Sequence, residues 1–211
     1  MDYKHVSVLL NESIEALSVN PDGIYFDGTL GGGGHSLEIV KRLNGGKLIA
    51  VDKDADALIT SAERLREYKD KIEFVHDDFK NAEDILDNLG IKKLDGVILD
   101  LGVSSYQLDN PDRGFSYIKD APLDMRMNQS QYLTAFNVVN EYSVAKLIRI
   151  FTEYGEERYA KKIAEKIANE REKETIRTTG QLAAIIEKCY PPATRWKYGH
   201  PAKRVFQAIR I

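Results

Sequence analysis

Residues Tyr25–Ser36 read YFDGTLGGGGHS: an apolar aromatic run, an aspartate, then four consecutive glycines before a helical pattern begins. Glycine loses more backbone freedom on folding than any other residue, so four in a row are costly. The cost is justified where the chain must turn tightly, or where a partner comes so near that a Cβ would be in its way. A strand, a glycine-rich turn and a helix start form a cradle of N–H groups for an anion or nucleotide. That reading predicts a β-α-β fold.

The sequence on either side repeats the unit. GIYFDG (23–28) patterns as a strand and His35–Leu43 as a helix; KLIAVD (47–52) is a second strand, followed by a helix over Asp54–Tyr68. IEFVHDD (72–78), a short helix over Asn81–Leu89, and DGVILDLG (95–102) complete four strands. Apolar strands separated by amphipathic helices imply an α/β class with a parallel sheet covered on both faces. From Gly102 to Met127 the periodicity dissolves, yet Tyr106, Phe115, Tyr117, Met125 and Met127 give more apolar content than disorder tolerates. An ordered active-site loop is expected there.

Beyond it the pattern is helical, over Gln131–Val139, Ser143–Tyr154, Glu156–Arg171 and Thr179–Cys189, with Thr179 the expected cap of the last. CYPPAT (189–194) breaks the chain, and Pro201 suits a first helical turn. The pattern divides the chain into an α/β part over 1–130, a helical part over 131–200, and a further helix from 201. A chain of 211 residues has room for one such core and an insert.

Composition narrows the setting. No apolar run approaches the roughly 20 residues that span a bilayer, so no membrane is expected. The single cysteine, Cys189, cannot form an internal disulfide and fits a reducing, cytoplasmic location. His5, His35, His76 and His200 lack metal-ligand spacing, and no metal is expected. The net charge of −3 divides unevenly: residues 1–140 carry 15 Lys and Arg against 24 Asp and Glu, residues 141–211 carry 15 against 9. A basic second half suits a polyanion, or is simply a set of solvated helices rich in Lys and Arg. Between Arg171 and Ile211, nine cations stand against three acids, with Tyr190, Trp196 and Tyr198 interleaved; unpaired RNA is the polyanion such a mixture holds. Arg195 and Lys197 are candidate phosphate contacts.

The glycine spacing excludes familiar ligands. G-x-G-x-x-G fits no register, because the third glycine falls on Ser36 or Leu37, and no Gly-Lys-Ser/Thr follows for a P-loop. S-adenosylmethionine, with a ribose, a base and a cationic amino-acid tail, remains. Asp27, Asp52 and Asp77-Asp78 stand at successive strand ends. Asp52, about 20 residues past the turn, is placed for ribose hydroxyls. Phe79 can stack on adenine. Each acid can instead cap the helix that follows. Asp100 ends strand four in VILDLG, where amino-group methyltransferases usually carry Asp/Asn/Ser-Pro-Pro-aromatic; here Leu101-Gly102 replace the prolines. A C5-cytosine methyltransferase would need a cysteine nucleophile, and Cys189 lies beside YPP, far from any strand end.

FDGTLGGGGHS, DLGVSSYQLD, RGFSY with KDAPLDMRM, YGEERYAKKIA and HPAKRVFQAIRI together resemble the bacterial ribosomal RNA small-subunit methyltransferase H family. The resemblance runs from His5 to Ile211. It implies a Rossmann-like class I methyltransferase sheet interrupted by an all-helical insertion, and methyl transfer from S-adenosylmethionine to the N4 amine of a cytidine in 16S rRNA. It places cofactor contacts on Gly33, Gly34, His35, Asp52, Phe79, Asp100 and Gln107, of which His35 and Gln107 follow from the resemblance alone. The backbone carbonyls of Asp100 and Leu101 become the acceptors for the cytosine amine. The family also has Asp-Leu-Gly at strand four, so the missing prolines agree with it. The small ribosomal subunit is the expected partner, and a homodimer is allowed. The family continues past FQAIRI with the rest of a helix and three strands. The expectation for these 211 residues is therefore an open sheet, with a catalytically silent cofactor- or RNA-binding fragment as the alternative. No general base is expected, because the methylated amine is acidic enough to lose its proton to water. Asp124 and Arg126 either bind RNA phosphate or close the loop through a salt bridge.

Overall fold

The computed structural model describes residues 7–193, 195–197 and 199–211. They form two compact units, divided between Ser104 and Ser105.

The first unit is a four-stranded parallel sheet in the order β3-β2-β1-β4. The strands are β1 (Ile24–Asp27), β2 (Lys47–Asp52), β3 (Ile72–His76) and β4 (Gly96–Ile98). β2 places Leu48 and Ala50 in one apolar cluster and Ile49 and Val51 in another, so both faces are covered. The first cluster is closed by α1 (Leu10–Leu17), α2 (Gly34–Val40) and α3 (Ala55–Arg64), the second by α4 (Ala82–Asn88). These are the strands and helices that the apolar pattern implies, trimmed at their ends. Helix α1 was not among them. Its apolar residues Leu10, Ile14 and Leu17 have helical spacing, but the helix is entered through Leu9 in a left-handed conformation, without a side-chain cap to signal it.

The helix expected to run to Tyr68 stops at Arg64 and continues as a 3-10 segment, Arg66–Lys71. Strand four is shorter than its apolar run, with Leu99, Asp100 and Leu101 beyond the ladder.

The second unit is helical: α5 (Ser105–Asp109), α6 (Ala135–Glu141), α7 (Val144–Glu153), α8 (Ala160–Arg171), α9 (Thr179–Glu187) and α10 (Lys203–Arg210). Residues 105–130 belong to it, and α10 packs on α7 and α6 within it. The stretch read as a loop is ordered. Arg113, buried, donates to the Arg126 and Met127 carbonyls at 3.0 Å each, and Phe115 is fully buried. The cap of α9 is Thr178, not Thr179. Thr178 and Gln181 form a reciprocal capping box, while the buried Thr179 hydroxyl donates to the Lys119 carbonyl and accepts from the Ala121 N–H. Thr179 is spent on pinning the loop, which leaves the cap to its neighbour.

Candidate cofactor site at the carboxyl ends of the sheet

In an open parallel sheet, ligands bind outside the carboxyl ends of the strands, where the strand order reverses. Here β1 leads to β2 and β3 on one side, and β4 lies on the other, so the reversal falls between β1 and β4. The glycine turn leaves β1 at that position.

The turn is braced from below and from the side. Asp27 is 2% exposed; its carboxylate accepts the Ser36 hydroxyl at 2.6 Å and the Thr29 N–H at 3.0 Å. Burial pushes its carboxyl up, and these two donors pull back against that. Asp52 accepts the Gly31 N–H at 2.7 Å and the Asp54 N–H at 2.9 Å. Burial raises the Asp52 carboxyl too, opposed by those two N–H groups. Ser61 donates to the Gly31 carbonyl at 2.7 Å, and Arg64 to that of Gly32. Ser61 and Arg64, on α3, lie 30 and 32 residues from the glycines they hold, and no local pattern marks them.

The four glycines have different reasons. Gly31 (φ +49°) and Gly33 (φ +69°) adopt the left-handed conformation that side chains resist. At Gly34 a Cβ would meet the Ser7 hydroxyl at 2.0 Å. Gly32 has an ordinary φ, and a Cβ there would find only the Arg64 guanidinium, at 3.9 Å. Among the described residues its Cα therefore faces open space, as a cradle for a ligand requires.

His35 opens α2 and is buried, and its Nε2 has no hydrogen-bond partner among the described residues. A buried imidazole nitrogen without a partner costs free energy unless a ligand or water completes it. Phe79 follows β3 and packs partly into the second apolar cluster; a Cβ on Gly28 would lie 2.8 Å from its Cβ. Asp78 is a cap, accepting the Lys80 N–H at 3.1 Å. Asp77 accepts from the Asp78 N–H and from Asn81, which together hold its carboxyl below the usual range. Those two acids serve the turn after β3. Asp100 is exposed, and its N–H donates to the Thr29 hydroxyl at 2.7 Å, tying the end of β4 to the turn after β1. Leu101 is 67% exposed.

Gly33, Gly34, His35, Asp52, Phe79 and Asp100 thus all lie at one end of one sheet. Gln107 is buried on α5, in the second unit. Asp124 and Arg126 pair bidentately, at 2.9 and 2.7 Å, and Arg126 also donates to the Gln129 and Gln131 carbonyls. Burial works against the Asp124 charge, but the Arg126 hydrogen bonds hold its carboxyl below the usual range. The salt bridge closing the loop is the role observed. Cys189 is buried and donates to the Ile185 carbonyl at 3.4 Å, and burial pushes its thiol up, the reverse of what a nucleophile needs. Lys197 and Trp196 are exposed, whereas Tyr198 and His5 lie outside the described residues.

Residues 2–211 match the MraW methylase family over essentially the whole chain. The chain belongs to the MraW methylase family. Among curated relatives it is 55% identical to the ribosomal RNA small subunit methyltransferase H of Clostridium botulinum (strain Loch Maree / Type A3), covering all of this chain and 68% of that protein. It is 55% identical to the protein of the same name from Oceanobacillus iheyensis, over 99% of this chain and 65% of that one. The Clostridioides difficile (strain 630) protein of that name is 52% identical, over 100% and 68%. Within the MraW methylase family this chain is an α/β protein whose parallel sheet reverses its strand order between β1 and β4.

Proposed function

We propose that this chain transfers a methyl group from S-adenosylmethionine to the exocyclic N4 amine of a cytidine in 16S ribosomal RNA. The observation that carries the reading is the glycine turn at the strand-order reversal, where, among the described residues, Gly32 has an open face and the buried His35 Nε2 has no partner. Family membership and the relatives' names support methyl transfer to small-subunit RNA.

The residues fit such a cofactor. The Gly33 and Gly34 backbone would face its amino-acid tail, and His35 Nε2 would gain the partner it lacks. Each Asp52 oxygen accepts one N–H and keeps a lone pair for a ribose hydroxyl. Phe79 offers a ring face to the adenine. The cofactor, when bound, supplies a methyl group made electrophilic by a sulfonium. The chain's own work is orientation. The lone pair of an exocyclic amine is delocalised into its base, and acceptors pulling on its N–H bonds turn it outward. The carbonyls of Asp100 and Leu101, both exposed residues, are assigned that role, held in place by the Asp100–Thr29 hydrogen bond.

Digestion of small-subunit RNA to nucleosides after incubation with this chain and S-adenosylmethionine, with chromatography against N4- and C5-methylcytidine before mass analysis, tests the proposal. One added methyl on a cytidine base is expected at N4. A methyl on C5, on a ribose or on another base would overturn it.

A further inference from the structure

A cleft of about 320 Å³ opens within the second unit, between the turn joining α7 to α8 and the segment leading into α10. Its walls are fixed by close backbone approach. A Cβ on Gly155 would lie 2.7 Å from the Arg204 carbonyl oxygen and 2.8 Å from that of Phe151, so glycine lets α10 come this near the turn. The Arg204 guanidinium donates to the Glu156 carbonyl and ties the two walls together.

Four cations line the cleft, Arg158, Arg195, Lys203 and Arg204, against two carboxylates, Glu156 and Glu157. Glu157 is 3% exposed and committed inside the protein. One oxygen accepts the Tyr190 hydroxyl at 2.5 Å and the other the Tyr159 N–H at 2.9 Å. Burial and this carboxylate push the Tyr190 phenol far up, so it remains a neutral donor. The cleft is left with a surplus of positive charge. Arg195 adds a buried Nε with no hydrogen-bond partner among the described residues, a donor that lacks an acceptor. Beside it Trp196 is 57% exposed and meets His200 edge-on, with centroids 5.1 Å apart and planes at 78°.

We propose that this cleft binds backbone phosphates of unpaired RNA, with Trp196 stacking on a neighbouring base. The inference rests on the reading of ribosomal RNA as the substrate. Guanidinium groups lining a concave wall suit phosphate oxygens, and an exposed indole beside them suits a base that has left its helix. A small free anion would use the cations but have no need of the indole.

Fluorescence anisotropy with a labelled single-stranded RNA of about ten nucleotides tests this. Arg195→Glu/Lys203→Glu is expected to weaken binding about tenfold or more and to lower the slope of log K against log salt by about one to two. Lys203→Glu alone, at an exposed position that poses no risk to folding, should cost about threefold or more. Trp196→Ala should cost about fivefold or more. Lys69→Glu/Lys92→Glu changes net charge equally at exposed sites outside the cleft, and should stay within about twofold of the parent. Cleft variants that bind as tightly as a binding-competent parent overturn the cleft and leave the RNA reading standing. Equal losses in the cleft and control variants also overturn it, because net charge alone would then act. Displacement of the RNA by inorganic phosphate at constant ionic strength would assign the cleft to a small anion instead. A parent with no RNA affinity would overturn the substrate reading along with it.

Discussion

Asp27 is a charged group that the fold has placed where charge is expensive. Burial raises its carboxyl above the ordinary 3.8 in the folded protein, against which the Ser36 and Thr29 donors act. The folded state therefore binds this proton more tightly than the unfolded one, and stability falls as pH rises from 3.8 through the folded value. Asp52, raised for the same first reason, acts in the same direction. Asp124, Asp77 and Glu38 are lowered, so their contributions are lost only below their ordinary values. Asp27→Asn should flatten the decline above pH 3.8 in thermal unfolding midpoints; a variant whose pH profile matches the parent's would show that Asp27 is not its source. The glycines make a sharper case. Gly33→Ala should cost about 1–2 kcal/mol, because its φ of +69° strains an alanine whose Cβ would also lie 3.1 Å from Ser61. Gly32→Ala should leave unfolding unchanged or slightly stabilised, since among the described residues its Cβ enters open space at an ordinary φ, yet weaken S-adenosylmethionine binding measured by calorimetry. Undiminished affinity in Gly32→Ala would remove the turn from the cofactor site.

Among the elements, the junction of the 105–130 segment with α9 shows how two adjacent threonines divide two tasks. Thr178→Ala removes one half of a capping box and should cost about 1 kcal/mol. Thr179→Val keeps the shape but strands the buried Ala121 N–H and the Lys119 carbonyl, and should cost about 1–3 kcal/mol. Denaturant unfolding compares the two, and a smaller loss in Thr179→Val than in Thr178→Ala would refute this division. The example also shows what sequence can and cannot carry. Apolar period marks α9 correctly, because Leu182, Ala183, Ile185 and Ile186 are buried on its inner face. It cannot say which threonine caps, because the competing partner of Thr179 is a carbonyl 60 residues away. Likewise Asp52 is legible as a strand-end acid, whereas its grip on the Gly31 N–H is set by which strands pair. Asp78 and the Asp124–Arg126 pair had local explanations available, and those local roles are the ones seen.

For the molecule as a whole, the strand order has a consequence at the sheet's edge. VILDL (97–101) reads as a strand buried on both faces, yet β4 has a neighbour only on its β1 side among the described residues. Val97 is 50% exposed and Leu99 44%. An apolar strand with one unpaired edge is a template for another chain's strand, and proteins usually blunt such edges with a charge, a proline or a bulge. Residues 96–101 carry a charge only at Asp100, past the end of the ladder. This 211-residue chain should therefore self-associate as its concentration rises, through pairing at β4. Val97→Lys places a cation in mid-strand and should suppress association while leaving the fold intact, because Val97 already stands half exposed. Light scattering across a concentration series decides the matter. A parent that stays monomeric throughout, or a Val97→Lys variant that associates as readily as the parent, would show that β4 is not the associating edge.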